Sequence, residues 1–355
     1  MNVGIIHPYF DVRGGAETVT TSLVTALKKS NHNSTLYAVI PPLITESKNF
    51  HIRKISKSSF PLFWRYQRLK EIETLFKISA NEDMLLIMSG GLALQNTKVK
   101  RVALYCNSTF SNEKKIAALT SKGIRGLYEK ILQKKIKQSL SMLVEPRVLL
   151  ISNSDFTRTE IKKQFEKDSN VIYPPVKIEQ FSKFYQVNKE KKVVTISRFA
   201  PEKNLEFAVD VMNLTDIKFD LVGEAHHRKQ IEMYNKLKRK ASKNITFYRD
   251  VEPNEIQKII STSKVYFHPS VETFGISVVE ATAAGCIPIV PNNSAHKETV
   301  PFSELRFNDK DEALKKINDA ILGKYDSLKA ELFQHIKQFS EEIFQKNILE
   351  LIDQS

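Results

Sequence analysis

The chain has 355 residues, 41% hydrophobic and 26% charged, with only 11 glycines; at roughly 100–200 residues per domain this is the composition of about two globular domains and excludes a disordered polymer. Its formal net charge of +14 is uneven: residues 1–185 hold 29 Lys and Arg against 15 Asp and Glu, whereas residues 186–355 hold 25 of each. The two cysteines, Cys106 and Cys286, sit in apolar runs, which excludes a disulfide framework or a cysteine zinc site and reads as two buried small hydrophobes.

In chain order, Met1–His7 lacks the basic and apolar regions of a signal peptide and reads as a first β-strand. His7 stands at its tip, either lining a binding cleft or held as a satisfied, partly buried histidine. Gly14 and Gly15 follow, then a helical pattern over Ala16–Lys29. A strand, a glycine pair and a helix start can face an anion with backbone N–H groups, although a plain βα turn has the same outline. The spacing matches neither a dinucleotide fingerprint nor a Walker A loop.

Apolar runs at Ser34–Ile40, Met84–Met88, Val99–Cys106, Val148–Ser152 and Val171–Tyr173 read as further strands. Two stretches between them suit an anionic membrane surface: Phe60–Lys70, with aromatics beside cations, and Lys122–Lys137, a basic amphipathic helix pattern. Solvated helix faces over an ordinary core are the alternative. No run approaches the roughly 18 apolar residues of a membrane span.

The polar run Lys183–Lys192 marks a seam where the charge excess ends. It predicts domains at 1–185 and 186–334, with a last helix near 335–355 packing back onto the first. Beyond it, strands are expected at Val193–Ser197, Phe219–Val222, Ile245–Tyr248, Val265–His268 and Ile287–Val290. Helices are expected at Leu205–Met212, Arg228–Lys240 and Asn254–Ser261. Alternating strands and helices imply right-handed βαβ units; eleven strands exceed one ordinary sheet, so the fold class is α/β with two doubly wound, Rossmann-like domains.

Arg198 ends the first strand of this half and Lys203 opens the next helix. Two cations outside the carboxyl end of a sheet make a diphosphate clamp, or a pair of solvated charges. The most specific segment is His268-Pro-Ser-Val-Glu272-Thr-Phe274-Gly275-Ile276-Ser-Val-Val-Glu280. A nucleotide sugar carries hydroxyls at both ends and phosphates between. Carboxylates accept from vicinal hydroxyls and repel phosphate, so Glu272 and Glu280, with the backbone of Phe274, Gly275 and Ile276 between them, match that distribution of charge. Asp309-Lys-Asp311 has an Asp-x-Asp metal spacing but precedes a helix and reads as its cap, so no metal site is expected.

These motifs together resemble the retaining glycosyltransferases of family 4, with the GT-B fold of two Rossmann-like domains facing a cleft. The resemblance covers most of the chain. It implies Arg198 and Lys203 on the diphosphate, Glu280 on the ribose, Glu272 on the transferred sugar, and Gly14 and Gly15 against phosphate or acceptor. His7-Pro-Tyr, Asn153-Ser-Asp-Phe-Thr-Arg-Thr and Val171-Ile-Tyr-Pro-Pro are most similar to the α-1,2-mannosyltransferases that extend the lipid-linked N-glycan core. That implies GDP-mannose as donor substrate with no cofactor, a polyprenyl-linked or other glycan acceptor, no nucleic acid, and a cytoplasmic place on a membrane face. One departure stands out: related enzymes often carry histidine where this chain has Asn107, which can bind a sugar but cannot act as a base. A front-side reaction, with the leaving phosphate as base, fits a site without a nucleophile. A sugar-nucleotide epimerase of the same fold, or a basic membrane- or nucleic-acid-binding protein, are the competing readings; a phosphorylase would need a cofactor lysine and a longer chain.

Overall fold

The computed structural model describes residues 1–10, 14–55, 81–88, 99–110 and 123–354. The chain divides into two compact units: Met1–Pro175 with Glu342–Ser355, and Val176–Glu341.

In the first unit the strands are β1 (Asn2–Ile6), β2 (Asn33–Ala38), β3 (Phe50–Lys54), β4 (Met84–Ile87), β5 (Arg101–Cys106), β6 (Val148–Ser152) and β7 (Asn170–Val171). They form one parallel sheet in the order β3-β2-β1-β4-β5-β6-β7. The central strands read as unbroken apolar runs because helices cover both faces: every residue of β4 is buried. On one face Val3, Ile5 and Leu86 meet Leu23 and Leu27 of the helix Gly15–Lys29, and on the other Ile6, Leu85 and Leu104 form a second cluster. The last helix, Glu341–Gln354, inserts Phe344, Ile348, Leu351 and Ile352 into the first cluster. At about 2 kcal/mol for each large apolar side chain buried, that face is enough to hold a terminal helix in place.

The second unit contains β8 (Glu190–Ile196), β9 (Lys218–Gly223), β10 (Ile245–Arg249), β11 (Ser263–Phe267), β12 (Ile287–Pro291) and β13 (Arg306–Phe307), parallel and ordered β10-β9-β8-β11-β12-β13. At the end of β9 a Cβ on Gly223 would stand 2.0 Å from the Ser197 carbonyl, so only glycine lets these two backbones approach.

The units divide at 175/176, ahead of the polar run 183–192 expected as the seam. The helix Ile178–Ser182 buries Ile178 and Phe181 against the helix Ile276–Ala283. Lys189 then donates to the carbonyls of Ser261 and Ala284, each at 2.6 Å, and of Phe184 at 3.2 Å. A lysine that satisfies three carbonyls anchors the run to the second unit, while most of the run's other polar residues face solvent. Burial lowers the Lys189 pKa.

Candidate active site

The second sheet reverses its winding between β8 and β11, and in open parallel sheets ligands bind outside the carboxyl ends at such a point. Arg198 and Lys203 follow β8, and Glu272 follows β11. Asn204, in the left-handed region at φ 48°, turns the chain after the short 3-10 turn Pro201–Lys203 and donates its side-chain amide to the Pro269 carbonyl at 3.0 Å. This ties the Lys203 turn to the Glu272 loop.

Lys203 Nζ lies 2.7 Å from Glu272 Oε1, across 69 residues of sequence. Ser270 Oγ donates to the same oxygen at 2.9 Å, and His268 Nε2 lies 3.3 Å from it. Three donors thus converge on Oε1, while Oε2 makes no hydrogen bond among the described residues. His268 is 3% exposed, and its Nδ1 is buried without a partner. A proton on Nε2 lets the ring donate to the carboxylate. Burial pushes the Glu272 pKa up, but the hydrogen bonds and charges of His268 and Lys203 outweigh it and hold the group well below the ordinary carboxylate range. Glu272 is therefore an anion with one oxygen fixed and one left to accept.

Glu280 sits in the helix Ile276–Ala283. It is half-buried and has no hydrogen-bond or ion-pair partner among the described residues. Burial pushes its carboxyl up to about 7, against a lowering pull from Lys177. Arg198 is exposed, with Glu202 3.9 Å away, and stands outside the contact between Lys203 and Glu272. Phe274 turns its ring into the core, edge-on to Phe339 at 5.1 Å, so only its backbone remains for a ligand. Gly275 has φ +95° and Ile276 opens the helix. Tyr266 Oη reaches Ser277 Oγ at 2.8 Å and fixes that opening to β11.

The remaining predicted residues belong to the first unit. Gly14 caps the helix Gly15–Lys29 in an extended conformation. His7 is 1% exposed: Thr20 Oγ1 donates to the Ala16 carbonyl and accepts from His7 Nδ1 at 2.7 Å, and Nε2 lies 3.5 Å from Glu17. The His7 imidazole is thus enclosed and hydrogen-bonded within the first unit. Asn107 donates to the Met88 carbonyl at 3.1 Å. Asn153, Ser154 and Thr157 serve a local purpose, since Ser154 accepts from the Thr157 amide and Thr157 Oγ1 donates to Asn153. Asp309 likewise caps Lys310–Ile321 by accepting from the Glu312 amide at 2.9 Å.

Of the two basic stretches, Phe60–Lys70 lies outside the described residues, and the second falls on the helix Gly123–Met142, where Lys130, Lys134 and Lys137 are exposed and Ile136 and Ser139 are buried. No helix among the described residues is long and apolar enough to cross a membrane. Sequence reasoning assigned no role to His268, Ser270 or His296. The alternation His268-x-Ser270-x-Glu272 at a strand end was an available signal for the first two. Nothing local marks His296.

The model of the glycosyl transferases group 1 family matches residues 176–337. A GDP-Man:Man(3)GlcNAc(2)-PP-Dol alpha-1,2-mannosyltransferase of Dictyostelium discoideum is 25% identical over 218 residues, 54% of this chain and 43% of that protein. A tRNA-queuosine alpha-mannosyltransferase of Drosophila melanogaster is 26% identical over 193 residues, 50% of this chain and 51% of that one. The chain thus spans about half the length of the curated relatives it matches. HepE of Anabaena, solved with UDP and glucose, superposes over all of both chains with a TM-score of 0.73 at 15% identity, which speaks for the fold. The match to residues 176–337 nearly coincides with the second compact unit, so the similarity to the group 1 glycosyl transferases lies in that unit, in a chain with the α/β GT-B fold.

Proposed function

We propose that the chain is a retaining, metal-independent hexosyltransferase that moves mannose from a nucleoside-diphosphate sugar, GDP-mannose, to a lipid-linked or other glycan. The observation that carries this reading is the Glu272 carboxylate, ionised, fixed through Oε1 by Lys203, Ser270 and His268, and free at Oε2. A fixed anion beside a cation holds a sugar hydroxyl on one side and a phosphate on the other. Glu280, without a partner, is suited to the ribose hydroxyls, and Arg198 with Lys203 to the diphosphate. In the reaction the bond from the anomeric carbon to the phosphate oxygen breaks as the acceptor oxygen bonds that carbon on the same face. The acceptor proton passes to the departing phosphate. Charge stabilisation and positioning then supply the rate, and the two cations supply the charge.

The relatives' names agree on mannose and differ on the acceptor, a dolichyl-diphosphate glycan in one and queuosine of tRNA in the other. The basic first half and the exposed Lys130, Lys134 and Lys137 suit either anionic partner, a membrane surface or tRNA, and transfer to each acceptor separates them. The test is a screen of nucleotide sugars for thermal stabilisation, followed by transfer to polyprenyl-diphosphate glycans and to tRNA. At 100 times its Kd a donor adds about 2.7 kcal/mol to stability. GDP-mannose should shift the melting point most; no shift with any nucleotide sugar would sink the reading. Sedimentation with anionic vesicles at low salt checks the membrane; binding unaffected by salt would count against a charge-driven contact.

A further inference from the structure

The segment 268–275, between β11 and its helix, carries Glu272 without regular secondary structure of its own. It is held from a separate part of the chain, Ser294–Thr299. The Ala295 amide donates to the Glu272 carbonyl at 3.2 Å. His296 is fully buried, with Nε2 3.3 Å from the Ser270 carbonyl and Nδ1 3.4 Å from Thr299 Oγ1. One neutral tautomer serves both contacts: N–H on Nε2 donates to the carbonyl, and bare Nδ1 accepts from the hydroxyl. The ring also occupies the space under Gly275, where a Cβ would stand 2.6 Å from His296 Cε1. It meets the His268 ring edge-to-face at 5.0 Å. His296 thus touches the loop at Ser270, at Gly275 and at His268, and two of these residues bond Glu272 Oε1.

We propose that His296 is a positioning residue for Glu272, acting through the Ser270 carbonyl and the floor beneath Gly275. Its consequence for catalysis rests on the glycosyltransferase reading; its effect on the loop does not. Burial lowers its pKa to about 3, so the ring is neutral and the tautomer persists through the working pH range. With Ser270 and Glu272 shifted, Oε2 no longer meets the sugar at the angle the transition state needs, while Arg198 and Glu280, which bond neither residue, stay in place.

The test compares His296→Met, which fills the volume and removes the donor, with His296→Gln, which restores an amide donor at similar reach. Hydrogen exchange of peptides spanning 268–277 is the first readout. Exchange should quicken in His296→Met and return toward wild type in His296→Gln. Unchanged exchange in His296→Met would overturn the proposal. Sugar transfer is the second. One lost hydrogen bond, about 1.4 kcal/mol, corresponds to a roughly tenfold lower kcat. KM for the donor and thermal stabilisation by free GDP should be nearly unchanged, and glutamine should recover most of the rate. Equal losses in both variants, or a loss confined to KM, would reduce His296 to a packing residue and also overturn the proposal. If exchange responds as expected but wild type transfers no sugar, the enzyme reading fails while the loop assignment stands.

Discussion

The two units repeat one topology and use its switch point in opposite ways. Outside β1 in the first unit, the histidine at the strand tip is enclosed: His7 is bonded to Thr20, which is itself bonded to Ala16, and Glu17 closes the other side. Outside β8 and β11 in the second unit, polar capacity is left over. Glu272 keeps a free oxygen, Glu280 has no partner, and Arg198 is exposed. None of these groups is among the buried, unpartnered atoms of the described residues, so each is open to water in the free protein and to a ligand when one binds. Among the described residues, the second switch point shows this signature and the first does not.

The strongest way to break that contrast is Glu272→Ala. Loss of a preorganised charge at a reacting centre typically costs 10²–10³ in kcat. We expect transfer to fall about 10³-fold, with stability changed by less than the loss of an ordinary buried ion pair because Lys203 becomes free to reach water. A variant that keeps a tenth of wild-type transfer would remove Glu272 from the chemistry. Next in size is Gly223→Ala. Its Cβ, 2.0 Å from the Ser197 carbonyl, forces β8 and β9 apart just before Arg198. Overpacking of this kind costs about 3 kcal/mol, or roughly 6–12 °C in Tm, measured by calorimetry. Unaltered melting would show that the two backbones have room to part.

Glu280 separates the ligand from the fold by pH. Its pKa is raised from the ordinary 4.5 to about 7, so the folded state prefers the neutral acid. Its contribution to stability is then greatest below about pH 4.5 and is lost as pH rises through about 7, above which the ionised form dominates. Donor binding runs the other way, because the carboxylate accepts from both ribose hydroxyls and the acid less well. Free GDP should bind up to about tenfold more weakly for each unit of pH below 7. Glu280→Gln should flatten both profiles and stabilise the empty protein at pH 8 by about 1–2 kcal/mol, a figure discounted for partial exposure. Parallel profiles in variant and wild type would break the assignment.

Eleven of the strands are legible as apolar runs because both faces of a parallel sheet are covered. The two described strands that are not, β3 and β13, are each one of the two edge strands of their sheet. β3 buries only Phe50 fully and β13 has two residues, so neither offers a run to read. Within the site, Glu272, Lys203 and Arg198 are visible from type and spacing. Their pairing is not, because the contact from Lys203 to Glu272 depends on which strands are neighbours. His296 escapes sequence reading for the same reason: it acts on a loop 26 residues away, through one carbonyl and the missing side chain of a glycine.

The smallest effect is predicted for His7→Asn, and it tests the comparison from the other side. Asparagine keeps a donor near Thr20 and loses the contact with Glu17, a change of about 1 kcal/mol in stability. Because the His7 ring is enclosed and its bonds are satisfied inside the first unit, affinity for GDP should be unchanged within error by titration calorimetry. The transfer rate should follow the folded fraction alone. A tenfold loss of kcat at full folding would mean that the imidazole breaks its bond to Thr20 when substrate is bound. The first switch point would then hold a ligand group in reserve, and the contrast between the two sheets would be one of states and not of construction.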